Sequence, residues 1–170
     1  MTLKDLYEKN RYSTDKESTH HYLDTYDRLF APFKNKKINL LEVGIATGGS
    51  LKLWDDYFSK ANIVGIDVIN EVKYEYSKKV KLCFEDIHEI DFEDNCTDIA
   101  IDDGSHLIDD QIYFIKTLFW SLRKGGLMII EDLHDIENSK VIFDALDIPF
   151  EVVDLRGIGV YCSVLLIFRK

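Results

Sequence analysis

The chain has 170 residues, room for one domain with its own core. With 46% hydrophobic residues, 10 Phe and 9 Tyr it is no disordered chain, and a net charge of −10 argues against a protein built to grip nucleic acid or an anionic membrane. No apolar run reaches the roughly 18 residues of a membrane span, and the first ten residues carry charges where a signal peptide needs an apolar stretch. Cys83, Cys96 and Cys162 stand too far apart for a disulfide frame or a thiolate zinc site, so a reducing, cytoplasmic setting is expected.

Taken in order, residues 20–33 read as a helix with Tyr22, Tyr26, Leu29 and Phe30 on one side and Pro32 at its end. Residues 38–44 form a first strand closed by glycine, and residues 50–59 a helix whose buried face carries Leu51, Leu53, Trp54, Tyr57 and Phe58. Strands follow at 62–67, 80–84 and 97–102. Ile108, Ile112, Ile115 and Phe119 mark a helix that Gly125-Gly126 stops, before a buried strand at 127–130. A helix at 139–146 and strands at 150–153 and 161–168 complete the chain. Strands alternating with helices predict an α/β fold, a Rossmann-like doubly wound sheet of seven strands, mostly parallel. The last two strands have too short a link for a crossover helix, so the last runs antiparallel.

In such sheets ligands bind beyond the carboxyl ends of the strands. The first strand ends in Glu42-Val43-Gly44-Ile45-Ala46-Thr47-Gly48-Gly49-Ser50, where glycine lets the backbone turn and approach a ligand. Ala46 breaks the dinucleotide fingerprint, and Glu42 would repel a pyrophosphate but hold an ammonium or hydroxyl group. Asp67, at the end of the next strand, suits a ribose diol, and Asp86 an adenine amine. Asp102-Asp103 and Glu131-Asp132 end neighbouring strands. Adjacent acids repel unless something positive compensates, and carboxylates converging on one crevice suit Mg²⁺, Mn²⁺ or Ca²⁺. His106, with an ordinary pKa near 6.5, is a candidate general base. His20, His21 and His88 are expected on the surface, and His134 near the acceptor. An NAD-linked oxidoreductase is the alternative; Ala46 and the want of a catalytic Tyr-x-x-x-Lys pair count against it. A non-catalytic nucleoside-binding regulatory module is the other.

These motifs resemble those of class I S-adenosylmethionine-dependent methyltransferases. More narrowly, the chain resembles the metal-dependent sugar O-methyltransferases of macrolide tailoring, the mycinamicin and macrocin type, over residues 12–135. The matching stretches are Ser13-Thr14-Asp15-Lys16, Leu41-Glu42-Val43-Gly44, Gly49-Ser50-Leu51 with Trp54, Val64-Gly65-Ile66-Asp67, Ile101-Asp102-Asp103-Gly104-Ser105-His106 and Ile130-Glu131-Asp132. The resemblance implies one domain over residues 1–170, with residues 1–35 a helical segment over the cofactor site. It implies S-adenosylmethionine held by Thr14, Lys16, Glu42, Gly44, Ser50, Asp67, Val68, Asp86 and Asp102. It implies Mg²⁺ held by Asp103, Glu131 and Asp132, and catalysis by His106 as base with Asp103. The expected reaction is methyl transfer to a hydroxyl of a small polar acceptor such as a sugar. Those relatives carry a further N-terminal domain without counterpart in this sequence, and the loop after Glu131-Asp132 is short, which leaves the acceptor open. A homo-oligomer could complete the acceptor pocket through Tyr22, Tyr26, Phe30 and Phe33, although packing of these rings on the chain's own sheet is the favoured expectation.

Overall fold

A computed structural model describes the backbone of residues 1–170 and the side chains of all but residues 138 and 140–142. Seven strands form one sheet in the order β3-β2-β1-β4-β5-β7-β6. They are β1 (Ile38–Val43), β2 (Ala61–Ile66), β3 (Val80–Cys83), β4 (Thr97–Asp102), β5 (Leu122–Ile130), β6 (Phe150–Asp154) and β7 (Val164–Arg169). Strands β1 to β5 pair parallel, and β7 runs antiparallel to both β5 and β6. The register sets Val43 beside Ile66 and Asp102, and Asp102 beside Ile130, so the acidic strand ends share one edge of the sheet.

Both faces of the sheet are covered. One side packs the N-terminal helices α1 (Leu3–Asn10), α2 (Asp15–Ser18) and α3 (Leu23–Phe30) with α4 (Gly49–Tyr57) against Leu40, Ile63, Ile101 and Ile129. The other packs α5 (Ile108–Ser121) and α6 (Ile136–Asp144) against Ala100, Met128, Ile130 and Phe168. Leu, Ile and Phe side chains alternate across the two faces, as they must where a parallel sheet is buried on both sides.

One expectation holds and two readings change. Tyr22, Tyr26 and Phe30 are fully buried, so these rings pack on the chain's own core and offer no docking face; Phe33 packs against the same core, partly buried. Helix α5 ends at Ser121, not at Gly125-Gly126. Leu122 is fully buried and already pairs with Thr97, and the register slips between Thr97 and Ile99 while Gly125 turns at φ 82. The third concerns residues 3–10, which form a helix that the reading above left out. Its N-cap is a capping box, in which Thr2 and Asp5 each satisfy the other's backbone N–H.

Candidate active site

Two cavities open at the carboxyl ends of the strands, and they share Gly44, Ala46, Asp103 and Gly104 as a common wall. The first, about 630 Å³, lies between the loop after β1 and the N-terminal segment, with Tyr12, Thr14 and Ser50 on its sides and His106 at its end. The second, about 450 Å³, is lined by Asp67, Val68, Asp86 and Asp102 with Ile66 and Phe114. Gly44 makes the shared wall: its φ is 81, and a Cβ there would lie 1.9 Å from the carbonyl oxygen of Asp103. Ala46, His106 and Asp132 also hold left-handed backbone, at φ 43, 59 and 58.

The loop is braced from β2. Asp67 Oδ2 accepts the backbone N–H groups of Ile45 (2.9 Å) and Ala46 (3.0 Å), and Oδ1 that of Ile69 (3.1 Å). Asp67 therefore shapes the loop while lining the second cavity. Asp86 caps a 3₁₀ turn at Ile87–Glu89 and faces the same cavity. Asp102 is buried and accepts the N–H of Gly104 at 3.2 Å, and burial pushes its carboxyl up to about 7.

Beneath the first cavity lies a charged knot. Lys16, fully buried on α2, donates from Nζ to Asp103 Oδ2 at 2.7 Å and to Glu131 Oε1 at 2.6 Å, and lies 3.4 Å from Glu42 Oε1. Glu42 Oε2 accepts from Ser50 Oγ and Trp54 Nε1, both at 3.0 Å, while its buried Oε1 has no hydrogen-bond partner. Burial raises the Glu42 carboxyl to about 7 against the pull of Lys16. Glu131 also stands well above the usual range, through burial and its neighbour Asp103. Lys16 keeps its proton: burial opposes the charge, but Asp103, Glu131 and Glu42 outweigh it. Neither Lys16 nor Glu42 lines either cavity, so the structure seats these two sequence-predicted ligands in the floor and not on the walls.

Asp132 is held from the other side. Its Oδ1 accepts from Tyr22 Oη at 2.7 Å and lies 3.2 Å from His20 Nδ1, while Oδ2 lies 3.9 Å from His106 Nε2. His20 is buried and not a surface residue as expected, because it stands between Asp132 and Asp15 and stacks on Tyr22. His88 is exposed, and His134 is exposed with its ring 5.9 Å from that of His106. The ligand atoms of Asp103, His106 and Asp132 all lie within 4.8 Å of one another, and so do those of Glu42, Asp103 and Glu131. Sequence reasoning missed the roles of Lys16, Tyr22, Tyr26 and His20 in holding the acids. The helical spacing of the two tyrosines was visible, but not the reach of their hydroxyls.

A family model described as a methyltransferase domain matches residues 41–130, and the chain belongs to that family. Among curated relatives, an 8-demethyl-8-alpha-L-rhamnosyl tetracenomycin-C 2'-O-methyltransferase of Streptomyces olivaceus is 30% identical over 135 residues, 72% of this chain and 36% of the relative. Demethylmacrocin O-methyltransferase of Streptomyces fradiae is 32% identical over 137 residues, 73% of this chain and 35% of the relative. The chain thus spans about a third of the length of these relatives. Among solved structures, MycE methyltransferase from the mycinamycin biosynthetic pathway, in complex with Mg and SAH, superposes with a TM-score of 0.78 at 23% identity, covering 100% of this chain and 55% of the other. That likeness is one of fold. Membership of the family sets the oxidoreductase alternative aside. Tyr74 and Lys78 do have the Tyr-x-x-x-Lys spacing, contrary to the sequence reading, but they line neither strand-end cavity.

Proposed function

We propose that the chain catalyses methyl transfer from S-adenosylmethionine to a hydroxyl group of a sugar-bearing small molecule, with Mg²⁺ as a second cofactor. The observation that carries the reading is the pair of cavities meeting at Gly44 and Asp103, with His106 lining the first and Asp132 3.9 Å behind it. The second cavity has the acids and apolar walls that suit an adenosine group, and the first has room for the amino-acid portion and an acceptor. The first relative named above is a 2'-O-methyltransferase of a rhamnosyl tetracenomycin-C, which supports a sugar as the acceptor class. In this reading residues 1–170 act as one unit, and residues 1–35 close over the cofactor.

The acids fit a hard divalent cation. Three ligand atoms of Asp103, His106 and Asp132 already lie within 4.8 Å of one another, and carboxylate oxygens are the donors Mg²⁺ prefers. Asp103 and Asp132 would hold the ion, which when bound would polarise an acceptor oxygen; Glu131, expected as a third ligand, gives its Oε1 to Lys16 and Tyr26 instead. The residues of the chain do the rest. Thr14 and Ser50 line the first cavity between the N-terminal segment and the glycine loop, where they would face a bound sulfonium. His106 takes the hydroxyl proton at Nε2 as the new O–C bond forms and the S–C bond breaks. Holding the two reactants in line supplies most of the acceleration.

Titration calorimetry with S-adenosylhomocysteine and MgCl₂, followed by methyl transfer to demethylated sugar-bearing polyketides, tests the reading. His106→Ala should lower turnover by roughly 10²–10⁴-fold while adenosylhomocysteine still binds. A folded chain that takes up neither compound refutes it.

A further inference from the structure

We infer that the Lys16 ammonium is a built-in cation filling the second of two adjoining cation positions, so that the chain takes one divalent ion where its acids could hold two. The inference rests on the metal reading above and adds to it. Two triads of acidic or imidazole ligand atoms share Asp103: one is Asp103, His106 and Asp132, the other Glu42, Asp103 and Glu131. The second triad is already centred on a cation, because Lys16 Nζ lies 2.7, 2.6 and 3.4 Å from Asp103, Glu131 and Glu42. Glu42 Oε1 is the independent sign of a place shaped for an ion. It is buried, aimed at the ammonium, and has no hydrogen-bond partner of its own. An acceptor oxygen in that state is expensive to keep unless a charge faces it.

The arrangement has a chemical logic. Ammonium and Mg²⁺ both seek carboxylate oxygen, but an ammonium carried on α2 arrives with the N-terminal segment and cannot diffuse away. Tyr26 donates to the same Oε1 of Glu131 that Lys16 uses, which fixes that oxygen toward the ammonium. Asp103, which belongs to both triads, gives its Oδ2 to Lys16.

Mn²⁺ is the probe, counted by electron paramagnetic resonance during titration. The wild-type chain should bind one Mn²⁺, and Lys16→Met, close in volume but uncharged, should bind two. A folded Lys16→Met chain that binds no more than one overturns the inference. Lysine acetylation followed by mass spectrometry needs no variant. Lys16 should react roughly tenfold or more slowly than exposed Lys60 and Lys124, with and without MgCl₂. If MgCl₂ makes Lys16 reactive, the ion displaces the ammonium and the inference fails. A wild-type chain that binds no Mn²⁺ refutes the metal reading instead, and the acetylation result without MgCl₂ then decides whether Lys16 is the resident cation.

Discussion

Gly44 and Gly49 are the positions where one methyl group tests how the site is assembled. At Gly44 a Cβ would meet the Asp103 carbonyl at 1.9 Å on backbone at φ 81, so nothing can yield without separating the two cavities' shared wall. Gly44→Ala should cost at least about 1–3 kcal/mol from backbone strain, read by urea denaturation, and should abolish adenosylhomocysteine binding. At Gly49 the obstacle is different: a Cβ would lie 2.0 Å from the carbonyl oxygen of Ser13. Gly49→Ala should therefore lift the N-terminal segment from the loop and leave the sheet intact. Limited proteolysis should show faster cleavage within residues 11–19, with far-ultraviolet dichroism unchanged; equal cleavage rates would show that the segment is held elsewhere.

Among the elements, α4 depends on one buried acid. Asp55 accepts from Ser77 N at 2.8 Å and Ser77 Oγ at 2.7 Å, and pairs with Lys79 at 3.0 Å, tying the strand entry of β3 to the helix. Burial alone would raise the Asp55 carboxyl, but the Ser77 hydrogen bonds and Lys79 lower it below the usual range. A depressed carboxylate stabilises the fold above its unfolded pKa of about 3.9, and that stability disappears as pH falls through the lower folded value. Asp55→Ala should cost about 1.5–3 kcal/mol at pH 7, and the gap to wild type should narrow below about pH 4 in urea titrations. The same scale shows what the sequence could and could not tell. Strands β1, β2, β4 and β7 were legible because both-sided burial writes strongly apolar runs, unbroken in Val164 to Phe168. The acid pairs at Asp102-Asp103 and Glu131-Asp132 were legible because strand ends are where such sheets bind ligands. The buried state of Lys16 and His20 was not, because each is a polar residue whose partners lie far along the chain. Lys16 is 87 residues from Asp103 and 115 from Glu131, and no local pattern carries that distance. The early start of β5 was hidden by Gly125-Gly126, which read as a helix stop but absorb a register slip.

For the molecule as a whole, the proposed cofactors should act as stabilisers, since both would bind the folded chain alone. At a ligand concentration 100 times its Kd, each should add about 2.7 kcal/mol to the unfolding free energy. Thermal melts with MgCl₂, with adenosylhomocysteine and with both provide the measurement, and melts indifferent to either ligand would count against the site. No helix among the described residues is long and apolar enough to cross a membrane.

The knot around Lys16 also dictates an order of events during synthesis. The first helices leave the ribosome well before β4 and β5 exist, and a lysine that needs Asp103 and Glu131 has nothing to clasp until both have emerged. Closing so long a loop comes late and slowly. Nascent chains halted before Glu131 should leave their N-terminal stretch open to chaperones and proteases, and release of the finished chain should seal it.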